Sequence, residues 1–107
     1  MPVNLDLAEL GRFSEPALLI LVSLAPGAKH GYAIMEDIKA MTGAEMRAGT
    51  LYAALNRLEH HGLIELLPTE DRRKPYRLTT EGAAALRQQL TNLGTFARMG
   101  LQRLATA

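Results

Sequence analysis

The sequence predicts a mostly α, α+β fold: three helices, a β-hairpin and a long closing helix in one domain. Three observations carry this. Residues 17–25 form a nearly all-apolar run interrupted by Ser23. At Gly62 the apolar spacing changes from helical to extended. From Leu86 to Leu104 apolar and small residues recur every three or four positions, a seam of the kind that pairs helices. A chain of 107 residues supports one hydrophobic core, which excludes a nucleotide-binding domain set beside a substrate domain.

Ser14-Glu15-Pro16 reads as the start of the first helix, with a capping hydroxyl, an acid on the positive dipole end and a proline in the first turn. The run that follows is apolar all round and is expected to be the buried central helix, ended by Pro26-Gly27. The second helix is expected over residues 31–41, with Ile34, Ile38 and Met41 inward, Glu36, Asp37 and Lys39 outward, and Gly43 as its stop. The third begins near Ala48 or Gly49. It buries Leu51, Ala54, Leu55 and Leu58 and ends at Gly62, which suits the left-handed position after a helix.

Two extended runs, residues 63–67 and 72–78, flank the turn-forming Pro68-Thr69-Glu70-Asp71 and read as a hairpin with a basic return strand. Pro75 cannot donate to a ladder, so this return strand is expected at a sheet edge. The closing helix starts at Thr79 or Thr80, with Glu81 in its first turn. At about 25 residues it spans roughly 37 Å, more than a core this small needs, so part of it is expected to pair with a second copy. The expected dimer seam is Leu86, Leu90, Leu93, Phe96, Ala97, Gly100, Leu101 and Leu104. Gly94 and Gly100 each cost about 1 kcal/mol within a helix; close approach of a second backbone accounts for them, a kink or frayed end being the plainer alternative. Residues 1–13, with Leu5, Leu7, Leu10, Phe13 and a capping Asp6, are expected to form a short helix over that seam.

Charge is unevenly distributed. Residues 1–70 hold nine acids and five bases, whereas residues 71–107 hold two acids and seven bases, densest at Arg72, Arg73, Lys74 and Arg77. Such a run is either a solvated face or a footprint for phosphates. The order of elements decides for the second, because three helices followed by a hairpin is the order of a winged helix-turn-helix. There the third helix enters a groove about 12 Å wide and the hairpin, the wing, sets basic side chains on flanking phosphates. The domain is thus placed at residues 14–79 and the dimerisation helix at 80–107.

The segments His30-Gly31-Tyr32, Gly49-Thr50-Leu51-Tyr52-Ala53-Ala54-Leu55-Asn56-Arg57-Leu58-Glu59 with Gly62-Leu63-Ile64, and Arg72-Arg73-Lys74-Pro75-Tyr76-Arg77-Leu78-Thr79 with Glu81-Gly82 resemble PadR-family transcriptional regulators. The resemblance covers Phe13 to about Leu90. It implies a dimeric DNA-binding repressor of the short form with a single C-terminal dimerisation helix, and it allows a small hydrophobic effector at the dimer interface. Trp is absent, so no aromatic-stacking effector site is indicated. Arg47 stands where the family often has a capping residue, which removes a cap and offers a phosphate contact instead.

The candidate DNA-binding residues are Arg47, Thr50, Tyr52, Asn56, Arg57, Arg72, Arg73, Lys74 and Tyr76. Thr50 and Tyr52 can hold phosphate oxygens at the helix N-terminus, or Tyr52 can pack on the second helix. Asn56 suits adenine and Arg57 guanine or phosphate, although Arg57 can also face Glu59 or solvent. Tyr76, on a strand, is equally a core residue. Phe96, Met99 and Leu93 read as dimer core before ligand contacts.

No cofactor or metal is expected. Cysteine is absent, and His60 and His61, adjacent on a helix, point about 100° apart without a carboxylate at ligand spacing. No nucleophile and base, phosphate-cradling glycine loop or carboxylate pair marks an enzyme. The first ten residues lack a basic n-region, and no apolar run approaches the roughly 18 residues of a membrane span. A cytoplasmic protein partnered by double-stranded DNA and by its own copy is expected. The competing reading is a winged-helix interaction module whose basic wing meets an acidic protein.

Overall fold

The computed structural model describes residues 15–70 and 72–107. The expected short helix over residues 1–13 and the Ser14 cap lie outside them. Over the described residues the order is α1 (Pro16–Leu24), β1 (Lys29–His30), α2 (Gly31–Thr42), α3 (Ala48–His60), β2 (Ile64–Leu66), β3 (Pro75–Leu78) and α4 (Thr80–Ala105). This is a mostly helical winged-helix architecture with a small sheet and a long C-terminal helix.

Helix α1 is the centre of the core, touching α2, α3, α4 and β3. Ile20, Leu21 and Leu24 are buried with Ile34 and Ile38 of α2, Leu51, Ala54, Leu55 and Leu58 of α3, Ile64, Tyr76 and Leu86. Burying an aliphatic side chain of this size contributes about 1.5–3 kcal/mol, so the three-helix interface dominates the stability of the domain. The one polar residue among them, Ser23, is fully buried. Its hydroxyl donates to Asp37 Oδ2 at 2.7 Å, while the Lys29 ammonium donates to the Ser23 carbonyl and lies 3.8 Å from Asp37. Asp37, expected to face solvent, therefore turns toward α1. Met41, expected inward, is exposed, because α2 ends one residue later at Thr42, capped by Gly43 (φ 77°), beyond the reach of the core.

Helix α3 closes on Gly62 in the left-handed conformation, φ 74°. The Gly62 N–H donates to Glu59 O at 3.0 Å and the Leu63 N–H to Leu58 O at 3.0 Å, the paired bonds of a Schellman stop. That turn sends the chain directly into the wing.

The sheet has three strands in the order β1-β3-β2, all antiparallel. Strand β1 is too short to carry a periodic signal, and its presence overturns the expected edge position of the return strand. β3 is central, with Lys29 opposite Tyr76 and His30 opposite Pro75 on one side, and Ile64, Glu65 and Leu66 opposite Leu78, Arg77 and Tyr76 on the other. Pro75 is tolerated there as the first residue of its strand, and its carbonyl still accepts from the Leu67 N–H at 2.9 Å.

Helix α4 is fixed to this body at its first turn. Thr79 Oγ1 accepts from the Gly82 N–H at 2.9 Å and donates to Gly62 O at 2.6 Å, while the Thr79 N–H donates to Leu63 O at 3.1 Å. Gly82 sits so close to Leu63 that a Cβ built on it would overlap the Leu63 carbonyl oxygen and lie 2.8 Å from its carbon. Leu86, expected on the dimer seam, is only 5% exposed and belongs to the core of its own chain. From Thr95 onward every residue of α4 is exposed.

Candidate nucleic-acid interface

The four inward residues of α3 leave Gly49, Tyr52, Ala53, Asn56 and Arg57 in an exposed strip. The N-cap Arg47 makes no side-chain cap bond, so its guanidinium is left on the surface beside the start of the helix. Tyr52 is half-exposed at 46%, yet its ring lies on Gly31: a Cβ there would stand 2.9 Å from Cζ and closer still to the hydroxyl. The packing expectation for Tyr52 holds, and the same ring also forms part of the groove wall on the wing side.

The wing presents Arg72, Arg73 and Lys74, all exposed, just before β3. They line a groove of about 290 Å³ whose other walls are His30, Gly31, Tyr32, Tyr52 and Tyr76. Tyr76 is 8% exposed, so most of its ring is core and only an edge reaches the groove. Burial, with the Glu59 charge adding to it, raises its phenol above the usual tyrosine range. Arg77 points the other way, where Nε donates to Glu65 Oε2 at 2.9 Å across the hairpin. Paired and exposed, it contributes little to stability and its charge is already answered.

The expected site residues thus separate into three places. Tyr52, Arg72, Arg73, Lys74 and Tyr76 share the wing groove. Asn56 and Arg57 lie further along the open strip of α3. Arg47 and Thr50 instead border a second, more apolar cleft with Pro16, Leu19, Ile38, Ala44, Glu45 and Met46. Sequence reasoning missed His30 and Tyr32 as groove residues. Their tripeptide stood out as a motif, but only the pairing of β1 with β3 brings it to the wing.

His60 and His61 meet edge to face, with ring centroids 5.6 Å apart; among the described residues no three His, Cys, Asp or Glu side chains converge on a metal-binding geometry. No described helix is long and apolar enough to cross a membrane.

This geometry has relatives. Residues 20–88 match the transcriptional regulator PadR-like family. A PadR family transcription regulator from Clostridium difficile aligns with a TM-score of 0.75 at 26% identity, over 83% of this chain and 97% of that one. Bacillus subtilis PadR, in a structure with operator DNA, aligns with a TM-score of 0.63 at 28% identity, over 69% of this chain and 45% of that one. Among curated proteins, the transcriptional activator GvpE2 of Halobacterium salinarum is 31% identical over 97 residues, which is 89% of this chain and 49% of the activator; another curated relative is matched over 23% of its length. The chain therefore spans half or less of the curated relatives it matches. With the match covering most of the winged-helix body, the chain belongs to the PadR-like family of transcriptional regulators.

Proposed function

We propose that this protein is a cytoplasmic, homodimeric repressor that binds an inverted-repeat operator through two copies of α3 and two wings. The observation that carries this is the convergence of Arg72, Arg73 and Lys74 with Tyr52 of α3 on one groove. Cations there hold phosphates and set the register, while Asn56 and Arg57 on the open strip read base edges. Arg47 and Thr50 add phosphate contacts at the start of the helix, and Tyr76 contributes the edge of its ring.

Pairing through α4 is supported by its outer half. Phe96 is 73% and Leu104 73% exposed, with Leu90, Met99 and Leu101 also exposed and Leu93 half-buried. Apolar side chains at this spacing on an unsupported helix stabilise it only when a second surface covers them. Ala97 and Gly100 give the covering helix room to approach, and a small hydrophobic effector would bind between the paired helices. Repression requires only that the dimer occupy its operator.

Half-sites one helical turn apart, about 10 base pairs, follow if both α3 copies enter successive major grooves on one face. Three wing cations per protomer, with Arg47 as a fourth, neutralise roughly six to eight phosphates per dimer, giving a slope of about −5 to −7 in log K against log salt. Fluorescence anisotropy with promoter duplexes across a salt series, with light scattering for mass, tests both halves. A monomer with a slope near zero overturns the proposal.

A further inference from the structure

We propose that His30 is a further DNA-contacting residue, holding a backbone phosphate through a neutral imidazole in the groove between the wing and α2. This rests on the DNA-binding reading above. His30 ends β1 and is the N-cap of α2. Its Nδ1 accepts from the Ala33 N–H at 3.3 Å, so the ring nitrogen that carries the proton is Nε2. Among the described residues nothing bonds Nε2, and no buried side-chain nitrogen there lacks a partner, which leaves Nε2 open to solvent. The half-buried ring lines the same groove as Arg72, Arg73, Lys74, Tyr32, Tyr52 and Tyr76.

Among the described residues that lining contains donors and no carboxylate. Of the acids on α2, Glu36 accepts from the Tyr32 hydroxyl at 3.5 Å on the exposed side, and Asp37 is turned to Ser23 and Lys29. The groove therefore suits a phosphate oxygen, and β1 carries His30 to it through the pairing of His30 with Pro75 beside the basic tip. The capping bond gives this contact a particular character. A doubly protonated ring could not accept from Ala33, and a positive charge at a helix N-terminus is unfavourable. His30 thus acts as a neutral donor, adding affinity without releasing a counterion, unlike the three wing cations.

The test uses the full chain and a duplex that the wild type binds, with affinity measured across a salt series. His30→Ser and His30→Asn remove the ring and keep a capping oxygen; thermal unfolding reports whether each is folded. The expected result is binding about ten-fold weaker at every salt concentration with the wild-type salt slope unchanged, whereas Arg72→Ala lowers the slope. Folded variants that bind like wild type overturn the proposal while leaving the DNA-binding reading intact. A wild type that binds no duplex overturns both. If inorganic phosphate alone shifts the His30 Nε2 resonance while duplex affinity is the same in His30→Ser, the groove holds free phosphate and the assignment to DNA falls.

Discussion

Replacing Gly82 by Ala is expected to be strongly destabilising, although alanine is the better helix former. Propensity alone favours Ala by about 1 kcal/mol. Against this, the new Cβ would overlap the Leu63 carbonyl oxygen and stand 2.8 Å from its carbon and 3.2 Å from its Cα. All three are backbone atoms at the Schellman stop of α3, so no side chain can swing aside. Relief requires the first turn of α4 to lift, which stretches the Thr79 cap on Gly82 and the Thr79 N–H bond to Leu63. A lost cap costs about 1 kcal/mol, a lost hydrogen bond about 1 kcal/mol, and overpacking 1–3 kcal/mol. Less the propensity gain, the net loss is about 3 kcal/mol, or roughly 10–20 °C in the unfolding midpoint of a domain this size. Urea denaturation at fixed protein concentration measures it. Gly49→Ala is the control, because a Cβ at Gly49 meets nothing within 4 Å, and it should be neutral or more stable by up to about 1 kcal/mol. A Gly82→Ala protein within about 0.5 kcal/mol of wild type would refute the claim that α3 and α4 share a rigid joint.

Joint replacement of Arg72, Arg73 and Lys74 by Ala should weaken binding to every duplex and flatten the salt slope, while Asn56→Ala should cost about 1–3 kcal/mol at one base step and leave non-specific binding in place; competition against single-base variants of a bound site separates the two. Phe96→Glu combined with Leu104→Glu should shift the molecular mass in light scattering to that of one chain without lowering helix content in the body. Tyr76, with its phenol raised by burial, is ionised later in the folded than in the unfolded chain. Its contribution to stability is complete below the ordinary tyrosine range and is lost as pH rises through the raised value, so wild type should lose stability on alkaline titration more steeply than Tyr76→Phe.

The helices were legible because their signals are local. The apolar run of α1, the Leu51-Leu55-Leu58 stripe and the glycine stop at Gly62 need no knowledge of distant residues. β1 was not legible, since a two-residue strand exists only through its partners Tyr76 and Pro75, and without it the sheet order and the position of Pro75 came out wrong. Leu86 illustrates a second limit. A heptad-like spacing records which residues share a stripe, yet the first turns of α4 pack on α1 and bury Leu86 from that stripe, and from Thr95 onward the helix is exposed. For the interface, residue chemistry indicated the basic wing and the polar strip of α3. Which of them face a common groove depended on long-range pairing, which is why His30 and Tyr32 were missed.

The Lys29 ammonium, held between the Ser23 carbonyl and Asp37, anchors the root of the wing from beneath. Strand β1 cannot slide without stranding the Ser23 carbonyl and the Asp37 carboxylate, so the root of the wing is held in place. The exposed guanidinium and ammonium groups of residues 72–74 thus leave from a fixed knuckle. In the proposed complex with DNA, their offset from the reading head beside them would be set by the fold and not by the ligand.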